Sequence, residues 1–199
     1  VLPPLRKAAA VLGERRYESF VGQALAFYLK DPSVTDFHRR NALTHFFAYI
    51  QEALIDLGCL EEARRGMESV AKLQQENGAV PAYADVAWVC STGLAQLALV
   101  WYRLGDSERA DRALQFLEQL QNPSGGFYGS YGPAAQYFPG EEISWAAKYA
   151  VDASVLRIST HFDNTAHQYR PVIAEQDGRA QAILADLGDV NGKRVLDAG

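Results

Sequence analysis

Leu97-Ala98-Leu99-Val100-Trp101-Tyr102-Arg103-Leu104-Gly105-Asp106-Ser107-Glu108-Arg109-Ala110 holds the end of one helix, a glycine stop and the start of the next. The segment from Asp85 to Leu104 is apolar nearly all round, which predicts a helix buried on most sides. Gly105 suits the left-handed position that ends a helix. Ser107 to Gln121 carries an apolar stripe on one side only, the pattern of a helix with one wet face. The arrangement occurs twice. Leu57-Gly58 precedes Glu61-Glu62-Ala63-Arg64 as Leu104-Gly105 precedes Glu108-Arg109-Ala110, with the two glycines 47 positions apart. Leu73-Gln74 with Asn77-Gly78 matches Leu120-Gln121 with Ser124-Gly125 at the same spacing, and Trp88 after Asp85 resembles Trp145 after Glu142. A period of this size denotes stacked helical hairpins.

Working outward, Pro3-Pro4 opens a helix to Leu12, and Glu14 to Leu29 forms another with Phe20, Ala24, Phe27 and Tyr28 on one face. Asp31-Pro32-Ser33 breaks it. A long helix is expected from Thr35 or Asp36 to Leu57, ended by Gly58, and an amphipathic one from Leu60 to Gln75. A Gly/Pro-rich loop runs from Asn122 to Gly140, and a further helix from Glu141 to about Ser159. Residues 161–170 read as a linker.

Composition bounds the function. The chain has 199 residues, 48% of them hydrophobic and 22% charged, with a formal net charge of −5. That acidity argues against a general nucleic-acid surface. No apolar run is long enough for a membrane span. Cys59 and Cys90 have neither disulfide-framework nor metal-site spacing, so they read as small buried hydrophobes in a reducing compartment, with a cytoplasmic location expected and no metal.

The hairpin pattern resembles the α/α toroids of terpenoid cyclases, protein prenyltransferases and several glycan-active enzymes. The words that carry it are Gln121-Asn122-Pro123-Ser124-Gly125-Gly126-Phe127 and Gln74-Gln75-Glu76-Asn77-Gly78. The resemblance covers about residues 14 to 160. It implies an all-α fold in which apolar helices form an inner layer and amphipathic helices an outer one. About three hairpins are present where such toroids have five to seven, so an α/α-toroid-like arc is expected. Its long loops would share one rim, where binding residues concentrate. The cyclase and prenyltransferase acid and zinc words are absent, so their chemistry is not carried over with the fold.

The C-terminal words Gly192-Lys193-Arg194-Val195-Leu196-Asp197-Ala198-Gly199 resemble the first motif of class I S-adenosylmethionine-dependent methyltransferases, counting a lead-in helix from Glu175 to Leu187. In that family a strand ends in an acid and a Gly-x-Gly turn that wraps the cofactor. Asp197 and Gly199 match those positions and are the cofactor-binding candidates, while the second glycine is absent. The resemblance implies a helical domain at residues 1–165, then at 166–199 a linker and the truncated start of a Rossmann-like methyltransferase domain. It also implies S-adenosylmethionine as cofactor of a longer parent, with none expected for this portion alone. The strand at residues 193–198 is expected to dock on a neighbouring chain or to be disordered.

The acid/base candidates are Asp85, Glu141 and Glu142, with Asp152 on a helix face not fixed by the pattern. The alternative for each of the first three is a helix N-terminal acid stabilised by the dipole, and that reading is preferred. His38-Arg39-Arg40 opens the first long helix and would clamp a carboxylate or phosphate, or else form a solvated charged turn. His45, on an aromatic face, reads as a core histidine rather than a catalytic one. Tyr128, Tyr131 and Tyr137 lie in the long loop. With Tyr83, Trp88 and Trp145 they would line one pocket for a sugar ring or apolar ligand, or else pin the loop to the helices.

The expectation is therefore a substrate-binding or accessory domain of a methyltransferase acting on a glycan or lipid-linked saccharide, itself inactive without the remainder of the parent. A glycan-active toroid hydrolase, lyase or epimerase and a non-catalytic helical-repeat module are the alternatives. Homo-oligomerisation is left open.

Overall fold

The computed structural model describes residues 1–176, with side chains through Phe162. It is all-α apart from one two-stranded ribbon. The helices are α1 (Leu2–Leu12), α2 (Arg15–Tyr28), α3 (Phe37–Arg40), α4 (Thr44–Asp56), α5 (Leu60–Ala71), α6 (Ser91–Leu104), α7 (Ser107–Gln119) and α8 (Ser144–Gln176). Strands β1 (Val89–Cys90) and β2 (Ser130–Tyr131) pair antiparallel, Val89 opposite Tyr131 and Cys90 opposite Ser130. The chain divides into two compact units, Val1–Ile158 and Ser159–Gly199; of the second, residues 159–176 are described and are helical.

Helix α6 is the centre of the first unit. Every residue of it except Arg103 is buried. The large side chains Leu94, Leu97 and Trp101 each contribute on the order of 1.5–3 kcal/mol by leaving water. Helices α4 and α7 pack against α6, and α5 against α4. From α8, Ala146, Tyr149, Ala150 and Ala153 join the same core.

The repeat is visible in hydrogen bonds. Gly58 (φ 78°) and Gly105 (φ 85°) both take the left-handed conformation that lets the α4–α5 and α6–α7 hairpins turn tightly. At the opposite end, Gln74 Nε2 donates to the Gly78 carbonyl and Gln121 Nε2 to that of Gly125. The N–H of Gln75 bonds to Ala79, and that of Asn122 to Gly126. The Thr44 N–H, at the start of α4, donates to Ala82, and the Ser91 N–H, at the start of α6, donates to Gly129. Each loop thus returns to satisfy an amide at the open N-terminus of the preceding apolar helix.

Several expected boundaries move. The helix from Thr35 or Asp36 to Leu57 is broken: Asn41 takes φ 43°, ending α3, and Leu43, with ψ 136°, is non-helical before α4 begins. The segment expected to start at Asp85 becomes helical only at Ser91, because Val89 and Cys90 are spent on the ribbon. On α2 it is Val21 that is buried, while Phe20, Phe27 and Tyr28 are exposed. Helix α8 runs through residues 161–170, which read as a linker, and on past Pro171. The expected lead-in helix reaches past the described residues, and the expected strand at 193–198 lies outside them.

Gly93 permits a close helix approach. A Cβ there would strike the Thr44 side chain and the His45 N–H, so α4 and α6 meet where a side chain is missing. Gly22, on the exposed side of α2, has open space around it. Alanine substitution should therefore act in opposite directions at the two sites. Gly22→Ala should stabilise by about 0.5–1 kcal/mol through backbone entropy. Gly93→Ala should destabilise by about 1–2 kcal/mol net, through overpacking. Urea unfolding of the two variants checks this.

Candidate functional site

Two helices bring polar groups together on one face. His45 comes from α4 and Glu52 from two turns further along it; Gln96 comes from the middle of α6. Gln96 Nε2 donates to Glu52 Oε1 at 2.7 Å. On the other side of its amide, Gln96 Oε1 meets His45 Nδ1 in a short hydrogen bond. With the amide nitrogen given to the carboxylate, the amide oxygen must accept, so Nδ1 carries a hydrogen, and desolvation disfavours a second hydrogen on Nε2. Nε2 is left with its lone pair, and no hydrogen bond reaches it among the described residues.

Aromatic rings surround this chain. Tyr49 stands 4.8 Å from the His45 ring, Tyr137 6.1 Å and Tyr149 6.3 Å, centroid to centroid. Trp145 donates its indole N–H to the Tyr137 hydroxyl at 3.1 Å. Lys148 lies 3.7 Å above the Tyr149 ring and pairs with Asp152 at 2.8 Å. Beside the chain, Glu52, Asp152, Arg103 and Leu99 line a groove of about 400 Å³.

The electrostatics follow from burial. Desolvation raises the Glu52 carboxyl above its ordinary range, against the Gln96 hydrogen bond and the nearby Lys148 and Arg103 charges. Desolvation lowers His45, against the same Gln96 amide. Burial, then the Tyr49 hydroxyl and the Glu52 charge, push Tyr149 up. The Cys90 thiol is pushed up to about 12 by burial and is not a nucleophile at neutral pH.

The long loop is held by its own polar clamp. Glu142 accepts from Asn122 Nδ2 at 2.8 Å and from Ser124 Oγ. Those two bonds hold its carboxyl below the usual range. The Tyr131 hydroxyl accepts the Tyr128 N–H at 2.7 Å and donates to Asn122 Oδ1. Phe138 takes φ 48°, a strained conformation for a bulky side chain, at the point where Tyr137 turns toward His45.

The sequence candidates are spread over several places. Tyr137 and Trp145 meet beside His45. Tyr83 and Trp88 stack edge to face at 5.8 Å in a small apolar cluster with Leu43, Ala82 and Cys90, against which Tyr137 also packs. Tyr128 and Tyr131 serve the loop clamp. Asp85 and Glu141 are exposed, and Glu142 is engaged within the loop. His38, Arg39 and Arg40 sit on the one-turn α3 rather than opening a long helix; Arg39 pairs with Asp36 and Arg40 donates to Ser33. Asp197 and Gly199 lie outside the described residues. Glu52 and Gln96 went unnoticed in the sequence. Gln96 had a signal, as the lone polar residue amid Gly93-Leu94-Ala95 and Leu97-Ala98-Leu99. Among the described residues no cluster of His, Cys, Asp or Glu could hold a metal ion, and no helix is long and apolar enough to cross a membrane.

The two titrations set a pH dependence. Because Glu52 binds its proton more tightly folded than unfolded, stability falls as pH rises from about 4.5 through the folded value. His45 acts at the other edge: it resists protonation when folded, so stability falls as pH drops below about 6.5. Glu52→Gln keeps an acceptor for Gln96 and removes the desolvated charge. It should be more stable than the parent chain at pH 7, with the difference vanishing near pH 4. Denaturation at the two pH values measures it.

No protein family, curated protein or solved structure was found to match this chain.

Proposed function

We propose that the chain is the acceptor-binding helical part of an S-adenosylmethionine-dependent methyltransferase and that the acceptor is a neutral saccharide, free or lipid-linked. In this reading the hairpins form an arc of an α/α toroid, with the face shared by α4, α6 and α8 as its concave side. The methyltransferase half of the proposal rests on the words from Val195 to Gly199, where Asp197 and Gly199 would help hold the cofactor that supplies the methyl group. The described residues would bind and orient the acceptor. The free thiols Cys59 and Cys90 suit a reducing, cytoplasmic setting.

The observation that carries the saccharide reading is the Glu52–Gln96–His45 chain set among Tyr49, Tyr137 and Tyr149. A sugar presents apolar C–H faces to aromatic rings and hydroxyls to fixed donors and acceptors, and this face offers both. Trp145 is the exposed tryptophan of the three, so its fluorescence reports binding. Saccharides should shift that emission. Tyr49→Ala, which removes a half-exposed ring worth about 1–1.5 kcal/mol, should weaken binding roughly tenfold. Arg39→Gln, on α3, should leave binding unchanged. Absence of any emission shift across mono- and disaccharides would count against the reading.

The second reading, a glycan-cleaving enzyme, is favoured by one observation: Glu52 and Asp152 line the same groove. Two carboxylates of different environment are what glycoside hydrolysis requires. Release of nitrophenol from nitrophenyl glycosides by this chain, lost in Glu52→Gln, would support it over the first.

A further inference from the structure

We infer that His45 Nε2 is the acceptor for one particular hydroxyl of the bound saccharide, so that the site selects a ligand still carrying that O–H. The inference rests on the saccharide reading above and goes further, to the group that is read. Gln96 holds Nδ1 as the donor, which fixes the imidazole in the tautomer whose Nε2 can only accept. Glu52 fixes Gln96 in turn, because reversing the amide would set its oxygen against a carboxylate. The ring cannot swing away: Phe46, Tyr49, Tyr137 and Tyr149 stand around it, and it is 5% exposed.

Titratable and charged groups surround the imidazole from each element packed against it. From α4 these are Tyr49 and Glu52, from α6 Gln96, from the long loop Tyr137, and from α8 Tyr149, with Lys148 over the Tyr149 ring. Lys148 is neutralised by Asp152, and Arg103 by Asp56 at 2.5 Å. No unpaired cation remains among them to attract an anionic sugar, which is why a neutral hydroxyl is the fitting partner. A buried acceptor tuned to an O–H discriminates strongly against an analogue that lacks it, because the lone pair is then left without a partner. The methyl ether or deoxy analogue at the recognised position should therefore bind at least tenfold more weakly than the parent sugar.

The test is nitrogen-15 NMR of the histidine-labelled chain, alone and with methyl α-glucoside, methyl α-galactoside, methyl α-mannoside and cellobiose, with Trp145 fluorescence as an independent measure of binding. The expected result is a free chain with His45 as the Nδ1–H tautomer. A sugar that binds should then move the Nε2 resonance in the direction of an accepted hydrogen bond, and its deoxy analogue should not. A His45 that carries its proton on Nε2 in the free chain overturns the inference. Binding seen by fluorescence without movement of Nε2 overturns it too, while leaving saccharide binding intact. If none of the four sugars changes the fluorescence, the saccharide reading fails and this inference with it. Gln96→Leu should mix the tautomers and weaken binding. The wild-type measurement decides the matter even if that variant does not fold.

Discussion

A glutamine in a helix without a wet side must find partners for both ends of its amide inside the protein. Gln96 occupies that position on α6, and leaving either end unpaired would cost about 1–3 kcal/mol. Its requirements bring a carboxylate and an imidazole of α4 to the same spot. They also fix how closely α4 and α6 must run, which is why Gly93, one turn earlier, has no side chain to spare. The register of the two helices and the protonation pattern of the site therefore have a common origin. A slip of one residue along α6 would place Ala95 or Leu97 opposite the carboxylate and leave two polar groups in an apolar core.

The rest of the unit supports that contact by repetition. Loop backbones cap α4 and α6 through equivalent bonds, Thr44 to Ala82 and Ser91 to Gly129. Arginines complete the opposite ends: Arg6 donates to the Leu57 carbonyl at the end of α4 and Arg64 to the Leu104 carbonyl at the end of α6. Such ends would otherwise expose carbonyls with no partner.

Much of this was legible from residues alone. The Leu-Gly turns, the hairpin period and the amphipathic partners follow from helical periodicity and from glycine's tolerance of positive φ, and they appear at Gly58 and Gly105 as expected. The break at Asn41 was hidden because no proline or glycine marks it, so His38-Arg39-Arg40-Asn41-Ala42-Leu43 reads as continuous helix. The late start of α6 was hidden because Val89 and Cys90 are as apolar as the helix they precede. Pairing with Ser130 and Tyr131, forty positions on, decides their conformation, and no local pattern reports it. For the site, the aromatic loop and Trp145 were legible as candidates. His45 read as a core histidine, and its ring is indeed buried. What the pattern lacked was Glu52: an acid on a helix looks like solvated surface until the partner across from it is known.

The two loops that cap α4 and α6 differ in length, and the difference falls at one point. Between the capping carbonyl and the next helix the first loop spans Ala82 to Ser91, and the second Gly129 to Ser144, six residues more. Both ends of that stretch are anchored, so added residues disturb neither helix and cost little in loop closure. Tyr137 and Phe138 stand within it. The extra residues thus cover the polar face from one tolerant point and leave the frame of helices untouched. The same point is where a protein engineer would lengthen or graft sequence to change what the face accepts.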